Sequence, residues 1–142
     1  MATVRVTRRV HFNAAHRLHN PAFSDEENRR IFGPCNHPNW HGHNYELLVT
    51  VIGPIDPETG FVVDLKDVRD LVQERVVDDC DHRNLNLDVP WMKDMLPTTE
   101  NFVVAIWNRI ADGLPEGTRL DRIVLEETPR NSVEYTGERS GR

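Results

Sequence analysis

Two segments near the front of the chain carry the period of a half-buried strand. This constrains the fold more than any other feature. Residues 3–14, TVRVTRRVHFNA, place Val4, Val6, Val10 and Phe12 on one side, as alternation along a pleated strand requires. Residues 41–53, HGHNYELLVTVIG, cluster β-branched and aromatic residues and predict a second strand. Between them, residues 20–40 are rich in Pro, Asn and charge and predict a long loop with one helical turn near SDEENRRIF. The stretch GPIDPETGF predicts a turn. Leu65, Val68, Leu71, Val72 and Val76 then recur at helical spacing behind Asp64, a suitable N-cap. Residues 80–97 hold two prolines and no clear period. A second helix is expected from PTTEN, capped by Thr98 or Thr99, with Val103, Ile106, Trp107, Ile110 and Leu114 as its apolar stripe. Gly113 or Gly117 can end it. Residues 120–127 and 131–137 predict two further strands. Strands paired at each end with helices between them imply an α+β fold, a sheet covered on one face by two helices. The open edges of so small a sheet invite oligomerisation.

The 142 residues suit one domain over 1–142, with a frayed end at 140–142. The longest apolar run, Phe102 to Trp107, is six residues, far short of the roughly 20 that span a membrane. The opening MATVRVTRRVHF alternates and lacks the apolar core of a secretion signal. Two cysteines without a CxxC spacing point to a reducing, cytoplasmic setting rather than a disulfide framework. A formal net charge of −6, with 17 basic against 23 acidic residues, argues against a nucleic-acid binder. It leaves room for a local basic pocket that takes a phosphorylated small molecule.

Histidine is spent unevenly: six of seven fall in the first 43 residues. His41 and His43 flank Gly42 at the start of the second strand, so both imidazoles point to one face, with Gly42 keeping the other face unobstructed. His16, at the end of the first strand, is placed to join them. Three neutral imidazoles suit Zn²⁺ with an open fourth position, the arrangement of a catalytic site. His11 and His19 are expected to pack or face solvent, and His37 is a reserve ligand. Cys35, in a loop six residues before His41, can ionise beside a cation and act as base or nucleophile. A buried inert thiol or a fourth zinc ligand fits the same spacing. Cys80 is expected to pack. Asp81 beside His82 can fix a tautomer and raise the imidazole pKa if a carboxylate holds the ring; a helix-terminal histidine is the plain alternative. Of Glu126 and Glu127, neighbours on a strand, one at most enters a given pocket, where it could pair with an amino-heterocycle; exposure of both to solvent is the plainer expectation from the residues alone.

Together, FNAAHRL, SDEENRRIFGPCNHPNWHGHNY, DPETGFVVDLKD, DHRNLNLDVP, PTTEN and EETPRNSVEYTGE resemble the 6-pyruvoyltetrahydropterin synthase family, within the group that includes 6-carboxytetrahydropterin synthase. The resemblance runs from Val4 to Glu138. It implies a tunnelling fold, a four-stranded antiparallel sheet with two helices. Such chains trimerise into a β-barrel and stack into a homohexamer with inter-subunit sites. It implies one Zn²⁺ per subunit on His16, His41 and His43, a catalytic thiol at Cys35, and acid–base partners at Asp81 and His82. Glu127 would anchor a pterin, and Thr98, Thr99 and Glu100 would line its pocket. The implied activity is that of a carbon–oxygen lyase on 7,8-dihydroneopterin triphosphate. The five residues between Cys35 and His41 resemble the pyruvoyl-forming branch. AAHRL resembles the carboxy-forming branch, which serves deazapurine (queuosine) synthesis. A pterin- or zinc-binding module without catalysis is the reading from another class.

Overall fold

The structure, a computed structural model, describes residues 2–138; the frayed end expected at 140–142 lies outside the described residues. In chain order the elements are β1 (Thr3–His16), α1 (Asp25–Phe32), β2 (His41–Pro54), α2 (Leu65–Val72), α3 (Asp78–Cys80), β3 (Arg83–Asn84), α4 (Thr99–Ile110), β4 (Arg119–Thr128) and β5 (Asn131–Tyr135). They form an α+β fold around one sheet with strand order β3-β1-β2-β4-β5.

The expected four antiparallel strands are all present. The sheet has a fifth because Arg83 and Asn84 pair parallel to Ala14 and Ala15. Two residues carry no readable alternation, so this strand has no sequence signature. The segment expected as a loop with one helical turn forms the eight-residue α1. Ser24 Oγ accepts the Glu27 N–H at 3.1 Å, and Asp25, Glu26 and Glu27 fill the first turn, where the helix dipole favours acids. Buried Asn28 ties this helix to the preceding loop, accepting from the Asn20 N–H at 2.8 Å and donating to the Asn20 carbonyl at 3.0 Å.

Asp64 caps α2 as expected, accepting from the Lys66 N–H at 2.9 Å. The helix then passes through a π turn, Gln73–Val77, before α3. Thr98 caps α4, accepting from the Asn101 N–H at 3.1 Å. This helix ends at Ile110, and Gly113 donates its N–H back to the Ile110 carbonyl.

The pleat sorts the side chains. Phe12 and Ala14 of β1, Tyr45, Leu47, Val49 and Val51 of β2, and Ile123 and Leu125 of β4 are buried against Val68 and Val72 of α2 and Phe102, Val103, Ile106 and Ile110 of α4. Phe12 and Tyr45 stack at 5.3 Å between ring centroids, and Phe102 meets both edge-on at 6.0 and 5.4 Å. These rings form the floor beneath the polar end of the sheet.

Phe102 is fully buried, so Phe102→Ala is expected to lower unfolding stability by about 3–5 kcal/mol. Phe102→Leu, which keeps more of the volume, should cost less. Urea midpoints at constant m-value check this.

Candidate active site

β1 and β2 pair without a break from Thr3 opposite Pro54 to His16 opposite His41. Residue parity then sets the site. His16, His41 and His43 follow the buried residues Phe12, Ala14 and Tyr45 on the same pleat face. Their ring centroids lie 4.5, 5.0 and 4.8 Å apart. One ligand atom from each ring falls within 4.8 Å of the others. His43 stands opposite Ala14, whose small side chain leaves room between the rings. A Cβ on Gly42 would meet only the Ala14 carbonyl, at 3.7 Å. Within one chain, the open face expected at Gly42 is therefore not sterically demanded.

His16 is fully buried. Its Nδ1–H donates to the Pro97 carbonyl at 2.9 Å, which leaves the Nε2 lone pair for the site. Such a bond to the far ring nitrogen orients metal-ligating histidines. Burial pushes all three imidazoles below the ordinary histidine value of 6.5, although Glu127 pulls the other way on each. The rings are therefore neutral at pH 7, as ligation requires. The His43 Nε2 and His41 Nδ1 atoms are buried without a hydrogen-bond partner. Two unpaired ring nitrogens on three converging neutral imidazoles fit a bound cation better than an empty polar cavity.

Glu127 reaches the same face by plain alternation, two residues beyond buried Leu125 and four beyond buried Ile123. Glu126 pairs with Ser132, but Thr128 pairs with Asn131, so Glu127 is the extra residue of a bulge in β4. The bulge interrupts the β4–β5 ladder beside it. Here the carboxylate accepts from Thr99 Oγ1 at 2.6 Å and lies 3.9 Å from His43 Nε2. Glu126 faces the other way, 3.4 Å from Arg9. The division expected between the two glutamates thus has a definite outcome. Thr99 is buried and holds Glu127; Thr98 spends its hydroxyl on the helix cap; Glu100 is exposed.

Cys35 sits in the 3₁₀ turn Gly33–Asn36, which is fastened by the Leu18 N–H to the Cys35 carbonyl at 2.8 Å. Burial, and next the Glu127 charge, push its thiol above the ordinary value. The proton therefore stays on sulfur unless a cation reverses the balance. Cys80 is fully buried, as expected, its thiol raised by burial to about 12.

Asp81 and His82 do not join the rings. Asp81 Oδ1 accepts the Asn13 N–H at 3.0 Å, and Asp81 Oδ2 lies 3.1 Å from His82 Nδ1. Adjacent residues rarely manage this; here the left-handed backbone at His82, φ +59°, turns the ring back. The pair opens onto a cavity of about 430 Å³ shared with His11, Asn13, Asn44 and Glu46, on the pleat face opposite the three imidazoles. His37 lies off the triad, its Nδ1 accepting from the Asn39 N–H. His19 Nδ1 accepts from the Asn36 side chain.

A family model described as 6-pyruvoyl tetrahydropterin synthase matches residues 5–138. The chain belongs to this family. A 6-pyruvoyl tetrahydrobiopterin synthase of Homo sapiens is 47% identical over 134 residues, covering 94% of this chain and 92% of the relative. A solved 6-pyruvoyl tetrahydropterin synthase of Caenorhabditis elegans matches with a TM-score of 0.89 at 38% identity, covering 97% of this chain and 98% of that one. A dihydroneopterin monophosphate aldolase of Pyrococcus furiosus is 35% identical over 130 residues, covering 92% of this chain and 95% of the relative.

Membership in the 6-pyruvoyl tetrahydropterin synthase family agrees with the imidazole cluster and with the tunnelling fold. The Pro97 carbonyl had no signal in the sequence, because every residue carries one. The left-handed Trp40, φ +68°, was equally hidden; it turns the chain into β2 just before His41.

Two outcomes follow. Wild-type protein should retain about one divalent ion per chain after dialysis, and His41→Ala should lose it, by elemental analysis. The lowered imidazole pKa values also fix a sign. Below the ordinary 6.5, the unfolded chain binds protons that the folded site refuses, so protons favour unfolding. Stability from the neutral rings is intact above that pH and falls as pH drops below it. The urea midpoint of metal-free protein should therefore fall between pH 7.5 and 5.5, and less so in His41→Gln.

Proposed function

We propose that the chain is a zinc-dependent carbon–oxygen lyase. It would convert 7,8-dihydroneopterin triphosphate to 6-pyruvoyltetrahydropterin with loss of triphosphate. The observation that carries this reading is the convergence of three neutral imidazoles beside a carboxylate pinned by Thr99. His16, His41 and His43 would hold one Zn²⁺. When bound, the ion supplies Lewis-acid polarisation of substrate oxygens and a positive charge that favours a thiolate.

The chain's own residues divide the remaining work. Glu127 offers two carboxylate oxygens to the paired N–H groups of the pterin's guanidine-like edge. Its bond from Thr99 fixes the direction of approach, and this sets the register of the substrate side chain over the rings. Cys35 accepts a carbon-bound proton at Sγ. Triphosphate leaves by elimination, and tautomerisation then moves the oxidation level within the molecule, so the electrons balance without a redox cofactor. His82, with Asp81 on Nδ1, carries protons for the second half of the reaction. Because that pair sits on the other pleat face, it would serve a site completed by a second copy, in a homohexamer of two trimers.

Incubating purified protein with 7,8-dihydroneopterin triphosphate and weighing the product tests this. A pyruvoyl pterin with free triphosphate is expected. A carboxylated pterin with acetaldehyde would move the chain to the carboxy-forming branch, and no turnover at all would make it a binding module. Cys35→Ala should keep its metal and lose about 10²–10⁴-fold in turnover. Wild-type turnover in that variant would overturn the thiol's role.

A further inference from the structure

The turn that carries Cys35 also walls a second space, apart from the imidazoles and Glu127. It is a cavity of about 340 Å³, bounded by Arg17, by Asp25 and Arg29 of α1, and by Gly33 and His37 of the turn and its exit. That volume falls in the range of small-ligand sites, about 300–1,000 Å³.

Its polar groups are mostly donors without partners. Arg17 follows the ring of His16 in the chain. Its Nε donates to the Asn36 carbonyl at 3.0 Å, so the side chain lies fixed along the turn. The terminal guanidinium nitrogens of Arg17 have no partner among the described residues, and neither has the guanidinium of Arg29. His37 Nδ1 accepts the Asn39 N–H at 3.1 Å, which makes Nε2 the N–H of the neutral ring. Arg17 directly follows His16 at the end of β1, and the chain leaves the cavity at Pro38 just before β2 begins at His41, so the cavity adjoins the strand ends that carry the imidazoles. Asp25 is the one carboxylate on the wall. In a chain of net charge −6, two guanidiniums without an acidic partner, facing one acid, reverse the general sign. Guanidinium forks match phosphoryl oxygens two at a time.

We propose that this cavity is a polyphosphate subsite, with Arg17 and Arg29 as its cationic wall and His37 Nε2–H as a third donor. The assignment rests on the proposed function for one point, that the polyphosphate belongs to the substrate. It would hold the leaving group while Glu127 holds the other end, so the reacting carbons are fixed from both sides. Arg17 thereby joins the subsite to the thiol-bearing turn through its bond to Asn36.

Inorganic tripolyphosphate is the probe, titrated into metal-replete protein by calorimetry. Metal content is measured after each titration so that chelation is not read as binding. Arg29→Gln should weaken binding about ten-fold or more, Arg29→Lys should recover part of it, and Asp25→Asn should tighten it. In turnover, Arg29→Gln should raise KM for the triphosphorylated pterin by more than kcat falls. Inhibition by unphosphorylated 7,8-dihydroneopterin should keep its strength. No binding by wild-type protein, or equal binding by wild type and Arg29→Gln, would overturn the subsite. So would an equal loss for the unphosphorylated pterin. If tripolyphosphate binding depends on Arg29 but no pyruvoyl product forms, the subsite stands as a site for polyphosphate from another source, and the proposed function falls. If product forms with KM unchanged in Arg29→Gln, the proposed function stands and the subsite falls.

Discussion

The structure depends on the register between β1 and β2. Fourteen consecutive pairs run from Thr3–Pro54 to His16–His41, and their phase decides which side chains are core and which are solvent. A slip of one residue would turn Phe12 and Tyr45 outward and carry His16, His41 and His43 with them. The same phase that buries the aromatic floor therefore assembles the imidazoles. Since the floor is worth several kcal/mol in buried apolar area, the site geometry is enforced by core packing rather than by the polar groups themselves. This suits a cluster whose burial disfavours protonation and in which His41 Nδ1 and His43 Nε2 lack protein partners. Such an arrangement would not persist on its own merits.

The second constraint is the end of β4, where alternation from Ile123 and Leu125 turns Glu127 to the imidazole face beside a bulge. A regular ladder through Glu126 and Thr128 would have kept β4 and β5 in step. The inserted residue breaks the step where the strand reaches the imidazoles. Thr99 then reaches the carboxylate from the first turn of α4, while Thr98 closes the helix end. The preceding Pro97 turns its carbonyl to His16. One helix start thus touches two parts of the site, by backbone at Pro97 and by side chain at Thr99. Displacing α4 would disturb both.

The four long strands, both main helices, both of their N-caps and the imidazole cluster were legible because each leaves a period or a spacing. Val4, Val6, Val10 and Phe12 alternate; Asp64 and Thr98 precede apolar stripes; His41 and His43 differ by two. What was hidden has no such trace. Arg83 and Asn84 make a strand too short to alternate. Residues 25–32 lie in a stretch whose prolines and charges outweigh its capping serine. The π turn is a local change of hydrogen bonding within an ordinary helical pattern. The state of Cys35 depends on burial and on Glu127, which comes from a strand more than 90 residues away. That Glu126 and Glu127 part follows alternation, but that Glu127 meets the imidazoles needed the pairing of β4 with β2.

The placement of Asp81 and His82 bears on how such a fold can work at all. A pleated sheet presents alternate residues to opposite sides, so one chain cannot aim both sets at one small molecule without a sharp bend at the strand edge. β3 provides only a brief parallel contact there, and the His82 backbone is already in the left-handed region. Its ring is 77% exposed, although Asp81 has spent both oxygens on orienting it and its backbone neighbour. Ordering an exposed imidazole costs side-chain entropy, which the contact with Asp81 Oδ2 at 3.1 Å offsets. An oriented ring facing outward is available to a group on another molecule. In the proposed homohexamer, a neighbouring copy bringing its own imidazole face would supply that group, beside the short edge strand β3.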